Sequence, residues 1–360
     1  MNSREINLGF TEQLIEEASF IDGLILGRVI SQSKELYRVA TAKAEVIAEV
    51  AGKLRYNAVS AADFPAVGDF VMIDREENAT GNAIIHHTLK RKSVFERKAA
   101  GSGKDVQIIA SNIDTVFICM ALNHDFNLRR LERYLSIAWV SGALPVVVLT
   151  KADLCSDLEI KMAEVNAVAV GADLLVTTSL TEDGYQPIRQ YLLPGKTVAF
   201  IGSSGVGKST LINRLLGDGV IETKAIRKDD KGRHTTTRRD LILIPDGGAV
   251  IDTPGMRELG VESADLAKSF ADIALLSESC RFNDCTHSGE PHCAVRNAIE
   301  VGELSEKRFE SYLKLKKEAR YEGLNAKQIE KEKITEMFSG FGGIKNARAF
   351  IKNKSKNPKQ

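Results

Sequence analysis

The segment TVAFIGSSGVGKSTLINRLLG, residues 197–217, decides the class of fold. Its central part fits the pattern G-x-x-x-x-G-K-[ST] at every position from Gly202 to Ser209. The apolar run TVAFI precedes this pattern and the helix-favouring run STLINRLLG follows it, so a strand–loop–helix unit is expected. Glycines there let backbone N–H groups close around phosphates, and the start of the helix favours negative charge. The sequence therefore predicts a nucleoside triphosphate site in an α/β domain.

Two side chains of this phosphate loop have specific predicted roles. Lys208 is expected to reach the β and γ phosphates, and Ser209 is expected to ligate Mg²⁺. The predicted phosphate-binding residues are Gly202, Ser203, Ser204, Gly205, Val206, Gly207, Lys208, Ser209 and Thr210.

Two later segments occupy the positions of nucleotide-sensing switches. DTPG, residues 252–255, follows the apolar run GAVI. We expect Asp252 to hold Mg²⁺ through water and Gly255 to offer its N–H to the γ phosphate. The preceding polar segment, residues 228–243, contains three consecutive threonines. A threonine in such a loop can ligate Mg²⁺ as the loop closes over the γ phosphate. All three threonines are candidates for this role, and Thr236 is the one we favour.

The base-reading element is predicted at TKAD, residues 150–153, after the apolar run PVVVL. Asp153 can accept two hydrogen bonds from the ring N–H and exocyclic amine of guanine, a pair that adenine does not offer. Lys151 can lie along the purine face. Thr150 stands where asparagine is usual. Its hydroxyl keeps some hydrogen bonding to the loop, so we expect guanine binding to survive. The later run TTSL is similar to a second base-contacting loop and contributes Ser179.

These elements come in an unusual order, because both base loops precede the phosphate loop. Apolar runs alternate with amphipathic stretches from about residue 106 to 262, which predicts a parallel sheet with helices on both faces. Such a sheet tolerates circular permutation when the old termini lie close together. The chain is therefore predicted to contain a circularly permuted P-loop GTPase domain at 106–262, whose second switch stands directly before the C-terminal region.

Different patterns precede and follow this domain. Residues 1–105 contain five short strand candidates separated by turns, which predicts a small barrel of the OB or SH3-like type. The basic segment 89–104 is either a solvated linker or a contact surface for phosphate backbone. Residues 263–360 favour helices and end in a basic tail.

A cysteine cluster marks the C-terminal region. Cys280, Cys285, His287 and Cys293 supply three thiolates and one imidazole, a closed tetrahedral set typical of one structural zinc ion. His292 is a competing ligand. The alternative is a set of reduced cysteines without metal.

Composition excludes several classes of protein. The 360 residues carry a formal net charge of +1, so no overall field points to a nucleic acid. No apolar run approaches the roughly 18 residues of a membrane span, and the N-terminal segment MNSREINLGF has no signal-peptide pattern. Five cysteines without such a signal favour metal or free thiols over disulfides. We expect a cytoplasmic protein that does not bind membranes, and nothing requires more than a monomer.

Together these features resemble the RsgA family of circularly permuted, ribosome small-subunit-dependent GTPases. The barrel, the permuted domain and the Cys-x4-Cys-x-His-x5-Cys spacing carry the resemblance, and residues 109–135 and the segment GRHTTTRR are also similar to family segments. The resemblance implies a factor that binds the small ribosomal subunit and its rRNA late in maturation, hydrolyses GTP to GDP and phosphate when stimulated there, and then leaves.

The resemblance also identifies a candidate catalytic residue. Ras-like enzymes use a glutamine after D-x-x-G to orient the attacking water, and this chain has Met256 there. The family is similar in having an apolar residue at that position and a catalytic histidine just before the threonines of the first switch. The matching residue is His234, whose neutral imidazole can orient or deprotonate water.

Three other functions share parts of this pattern. One is a GTP-gated module that binds RNA or protein with little catalysis of its own. Another is a P-loop kinase of a small molecule, which the TKAD element disfavours. In the third, the cysteine cluster is a regulatory metal sensor.

Overall fold

A computed structural model describes the chain over residues 1–98, 106–178, 180–217, 240–245, 247–252, 270–282 and 284–320. The N-terminal region begins with two helices and continues with five strands and a short helix. In chain order these are α1 (Ser3–Asn7), α2 (Glu12–Ser19), β1 (Ile25–Ser33), β2 (Leu36–Thr41), β3 (Glu45–Val50), α3 (Gly52–Asn57), β4 (Phe70–Ile73) and β5 (Ala83–Thr88).

The five strands close into a barrel, which confirms the predicted N-terminal fold. β1 pairs with both β2 and β4, and β5 pairs with both β3 and β4. Side chains along β3 and in the first half of β2 alternate between buried and more exposed, as a barrel wall requires. Because β3 and β5 run parallel, the barrel is not an all-antiparallel meander, and the OB-like alternative is the one that fits.

A hairpin connects the barrel to the next domain, and it differs from the expectation for the basic segment 89–104. Its strands are β6 (Val94–Lys98) and β7 (Val106–Ser111), which pair antiparallel. The buried Phe95 packs into the main core. The sequence around it does not indicate this burial, because cations flank the residue. Arg91, just before the hairpin, pairs with the fully buried Asp69 at 2.7 Å. Part of this segment is therefore structural.

Six strands and four helices are seen among the described residues of the nucleotide-binding region. In chain order these are β8 (Thr115–Ala121), α4 (Leu128–Ser141), β9 (Leu144–Thr150), α5 (Leu158–Val168), β10 (Asp173–Val176), α6 (Gln186–Arg189), β11 (Thr197–Ile201), α7 (Lys208–Leu216), β12 (Asp240–Leu243) and β13 (Ala249–Asp252).

These strands form one sheet in the order β10-β9-β8-β11-β13-β12. All neighbouring pairs are parallel except β12 with β13. Every residue of β8 is buried, as expected for a strand covered on both faces. Apolar residues of α4 pack on one face and those of α7 on the other, so the predicted layers are confirmed.

Two connections join this sheet to the barrel. β12 pairs antiparallel with β1 where Asp240 lies opposite Ser31, so the two sheets are continuous. Beside this junction lies Arg28, which is 1% exposed. Its guanidinium donates to the Leu8 carbonyl at 2.8 Å and to Thr197 Oγ1 at 2.8 Å. Burial lowers the pKa of Arg28 to about 10, so it still carries its charge at neutral pH.

The C-terminal region is helical among its described residues, as predicted. Its helices are α8 (Ala271–Glu278), α9 (Ala294–Glu300) and α10 (Glu306–Arg320). Arg308 on α10 joins the region to the nucleotide-binding domain through an ion pair with Glu132 of α4 at 2.8 Å. It also pairs with Asp272 of α8, within the C-terminal region, at 2.6 Å. Within the described part of the chain, every helix is too short or too polar to span a bilayer.

The predicted boundaries at residues 105 and 262 stay predictions. Residues 105 and 262 both lie outside the described residues.

Replacing Arg28 with methionine tests the junction. We expect Arg28→Met to lower the free energy of unfolding by about 2 to 4 kcal/mol, because buried carbonyl acceptors lose their donor. Arg38→Met is the matched control on the next strand, since Arg38 is half-exposed and pairs with Glu45; it should cost at most about 1 kcal/mol. Urea unfolding followed by circular dichroism measures both, and equal losses would contradict the assigned role of Arg28.

Candidate nucleotide site and metal centre

The phosphate loop lies between β11 and α7, and its backbone requires glycine. Gly202 has φ 141°, and a Cβ built there would lie 2.3 Å from the carbonyl oxygen of Cys119. Gly207 has φ 101° and precedes the first residue of α7. Val206 is 1% exposed and packs with the apolar face of α7, so it anchors the loop. The sequence forms this turn because glycine occupies the positions where a side chain is excluded.

Polar groups converge on this loop. Lys208 Nζ donates to the carbonyl oxygens of Gly202 at 2.7 Å and Ser203 at 2.6 Å. Ser209 and Thr210 are exposed in the first turn of α7, and Ser204 and Gly205 are exposed in the loop itself. The N-terminal end of a helix directs backbone N–H groups and a positive potential outward. The arrangement therefore suits a phosphate chain.

The predicted base loop follows β9 directly. Thr150 is 3% exposed, and its Oγ1 donates to the carbonyl oxygen of Val206 at 2.6 Å, so it ties the base loop to the phosphate loop. Lys151 has φ 58°, a backbone conformation that is costly for a side chain of this kind. Asp153 is exposed and accepts a hydrogen bond from Thr178 Oγ1 at 2.6 Å.

Strand pairing brings the two loops together. β8 lies between β9 and β11, and all three are parallel. Their carboxyl ends meet at one edge of the sheet, where ligands bind in open α/β domains. Asp252, the last residue of β13, lies opposite Asp240 in the pairing of β12 with β13. The other predicted site residues, Ser179, His234, Thr236 and Gly255, lie outside the described residues.

Sequence reasoning missed three residues that contact this site. Thr178 holds Asp153, and although the TTSL segment was recognised as a loop, nothing singled out this threonine. Asp125 and Arg130 both contact Ser203 of the phosphate loop. They are 78 and 73 residues away from it along the chain, and no local pattern signals such a contact.

The predicted metal ligands form a compact group. The ligand atoms of Cys280, Cys285, His287 and Cys293 all lie within 4.8 Å of one another. The sulfurs of Cys280 and Cys293 are 3.9 Å apart, close to the separation of about 3.8 Å for two thiolates on a tetrahedral zinc. His292 is exposed and is not a member of the group. The donor set and spacing fit a metal ion held by four protein ligands.

The orientation of His287 also suits a ligand. Its Nδ1 faces the sulfurs of Cys280 and Cys293 at 3.7 and 3.4 Å. Its Nε2 lies 3.2 Å from Ser277 Oγ, which donates its own proton to Ile273 O. Nε2–H therefore donates to Ser277, which leaves Nδ1 free of a proton. Burial lowers the pKa of His287, and neutral imidazole is the form that binds metals.

Comparison with known proteins identifies the family. The RsgA GTPase family model matches residues 88–262. A protein of Lactiplantibacillus plantarum, "Small ribosomal subunit biogenesis GTPase RsgA 2", is 53% identical over 344 residues, which cover 95% of this chain and 97% of that protein. The chain belongs to the RsgA GTPase family. A Methanosarcina acetivorans protein, "Small ribosomal subunit biogenesis GTPase RsgA", is 43% identical over 91% of this chain and 90% of its own.

Solved structures agree with this membership. The crystal structure of YjeQ from Thermotoga maritima aligns with a TM-score of 0.61 and 26% identity, over 82% of this chain and 98% of that one. YloQ, described as a circularly permuted GTPase, aligns with a TM-score of 0.59 and 25% identity, over 83% and 96%. The predicted permuted fold and RsgA resemblance are thereby confirmed. As an RsgA-family GTPase, the protein is a hydrolase acting on GTP, not a small-molecule kinase.

Gly202 offers a test of the phosphate loop. We expect Gly202→Ala to weaken GTP and GDP binding by at least about tenfold, because the new Cβ meets the Cys119 carbonyl in a backbone conformation that alanine avoids. Gly52→Ala, where the added atom meets open space, is the control and should bind normally. Titration with a fluorescent GDP measures both. Unchanged affinity in Gly202→Ala would exclude this loop from the site.

Proposed function

We propose that this GTPase binds the small ribosomal subunit and its rRNA and hydrolyses GTP there during late maturation of the subunit. One observation carries the proposal: a relative named for small-subunit biogenesis matches 95% of the chain, through the barrel, the permuted domain and the cysteine–histidine group alike. The protein would act in the cytoplasm as a monomer and would not bind membranes.

We assign the nucleotide roles from the sequence motifs and, for the described residues, from their positions around the sheet edge. Asp153 would read guanine, with Lys151, Thr150 and Ser179 completing the base pocket. Backbone N–H groups of the phosphate loop and the Lys208 ammonium would hold the phosphates, and Gly255 would reach the γ phosphate. Mg²⁺ would be ligated by Ser209 and Thr236, with Asp252 acting through water.

Hydrolysis would depend on His234, because Met256 cannot orient water. A neutral imidazole within reach of the attacking water can take up its proton as the water adds to the γ phosphate. The histidine belongs to a switch-position segment, so docking on the subunit would fix it beside the γ phosphate and raise turnover.

The barrel supplies a surface that suits RNA. Tyr56 on α3 is 90% exposed, unlike Phe70, which is 3% exposed in the core. A cavity next to α3 is lined by Lys53, His86 and His87 among others. An exposed ring can stack on a base, and the neighbouring cation can meet phosphate, which together suit single-stranded RNA in barrels of this type.

The metal in the cysteine–histidine group would be one structural zinc ion. All four positions of a tetrahedral ion are taken by protein ligands, so no position remains for catalysis. The group lies against the core of Phe270, Val295 and Phe309. Zinc binding would therefore stabilise the C-terminal helices and preserve a docking surface.

Steady-state hydrolysis tests the ribosomal role. Purified small subunits should raise GTP turnover by about a hundredfold or more, since subunit binding fixes the catalytic group. His234→Ala should keep its GTP affinity and lose that stimulation. Large subunits serve as the control and should have no effect. Equal turnover with and without small subunits would refute the proposed partner, and full stimulation of His234→Ala would refute the catalytic assignment.

Metal analysis tests the zinc site. The purified protein should contain about one zinc per chain, and Cys285→Ser should lose it and unfold at a lower temperature. Cys155→Ser is the control, because Cys155 lies outside the group. Basal GTP turnover of Cys285→Ser should be near normal while subunit stimulation falls. Zinc that exchanges freely and changes basal turnover would favour the metal-sensor alternative.

A further inference from the structure

Asp125, Arg130 and Ser203 form a closed triangle of hydrogen bonds beside the phosphate loop. Arg130 Nη1 donates to Asp125 Oδ1 at 2.8 Å and to Ser203 Oγ at 2.7 Å. Ser203 Oγ donates its proton to the second carboxylate oxygen, Asp125 Oδ2. Each side chain thus contacts both others, and all three are partly buried. The triangle joins the loop after β8 and the start of α4 to the second residue of the phosphate loop.

Local sequence holds the two charged residues in place. Asn123 Oδ1 accepts a hydrogen bond from the backbone N–H of Asp125 at 3.0 Å, which fixes the turn after β8. Asn127 caps α4, and its Oδ1 accepts from the backbone N–H of Arg130 at 3.1 Å. Asp125 therefore lies just before the helix and Arg130 in its first turn. Both side chains extend from backbone that is already hydrogen-bonded, which limits the conformational freedom lost in forming the triangle.

The charges within the triangle compensate each other. Burial alone would raise the pKa of Asp125, but hydrogen bonds from Ser203 and Arg130 and the charges of Arg130 and His124 outweigh it and lower that pKa. The carboxylate is therefore ionised at neutral pH. Arg130 neutralises it at a place where an uncompensated negative charge would repel a phosphate chain.

Ser203 is held from two sides. Its hydroxyl belongs to the triangle, and its carbonyl oxygen accepts from Lys208 Nζ at 2.6 Å. A loop fixed in this way loses less conformational entropy when a nucleotide binds. Asp125 and Arg130 thus connect the start of α4 to the loop segment that carries the phosphate-facing N–H groups.

We propose that Asp125 and Arg130 are positioning residues that hold the phosphate loop through Ser203 and thereby lengthen the lifetime of bound guanine nucleotide. The proposal rests on the phosphate-loop assignment made under the proposed function. It concerns a ligand-binding rate in the isolated protein, so it does not depend on the ribosomal partner.

Stopped-flow release of a fluorescent GDP tests this role. Arg130→Ala should speed release by about tenfold, because Ser203 loses a donor and a less constrained loop opens more often around the bound phosphates. Arg129→Ala is the matched control from the same helical turn. Among the described residues, the side chain of Arg129 pairs through Nη2 with Glu310 Oε2 on α10 at 2.8 Å and makes no hydrogen bond to the phosphate loop. Its release rate should stay within about twofold of the parent protein.

Asp125→Ala separates positioning from simple electrostatics. If the pair positions the loop, this variant also speeds release, since Ser203 loses its acceptor. If Arg130 acts only through its charge, removing the neighbouring carboxylate slows release, and that result would overturn the proposal. Arg130→Lys should restore part of the lifetime, because an ammonium keeps the charge and can donate to both partners.

The amplitude of the fluorescence change distinguishes a folding defect from faster release. A variant that only unfolds lowers the amplitude of the fluorescence change and leaves the release rate of the folded fraction unchanged; that result for Arg130→Ala would contradict the proposal. Lys208→Ala is measured beside these variants. If it too left release unchanged, the phosphate-loop assignment itself would fail, whereas fast release from Lys208→Ala with normal release from Arg130→Ala would overturn the positioning role alone.

Discussion

The parallel pairing of β8 with β11 is the constraint on which the rest of the structure depends. It joins the half of the sheet that carries the predicted base loop to the half that carries the predicted phosphate loop, in register from Val198 opposite Thr115 to Ile201 opposite Ile118. Thr150 then connects the two loops, because its Oγ1 donates a hydrogen bond to the carbonyl oxygen of Val206 at 2.6 Å. Strand pairing depends on position in the sheet and not on order along the chain. A site for one guanine nucleotide can therefore be assembled from permuted sequence.

Permutation also connects the switch-position segments to the flanking domains. The segment that contains His234 leads into β12, which pairs with barrel strand β1. The segment after β13 leads to Asp272, which Arg308 of α10 binds together with Glu132 of α4. Arg130, in the first turn of α4, contacts Ser203 of the phosphate loop. The barrel thus pairs with a strand of the nucleotide-binding sheet, and the C-terminal helices contact the helix that carries Arg130.

Much of the fold and of the candidate site was predictable, because the decisive sequence signals are local. The phosphate loop, the TKAD segment and the cysteine–histidine spacing each lie within one short stretch, and apolar runs marked β8, β9 and β11. The exceptions have physical causes. β6 was missed because cations surround the single buried Phe95. The burial of Arg28 and the contact of Asp125 with Ser203 depend on residues far apart in sequence. Register between distant strands has no sequence pattern of its own.

The measurement that tests the central claim most directly is the nucleotide preference of Asp153→Asn. If permuted strands place Asp153 at the guanine edge, the variant should lose GTP affinity by about a hundredfold, since one charged hydrogen-bond acceptor becomes a mismatched amide. The same change should improve binding of xanthosine triphosphate, which presents a carbonyl where guanine has an amine. Unchanged preference for GTP over xanthosine triphosphate would contradict the assembled site.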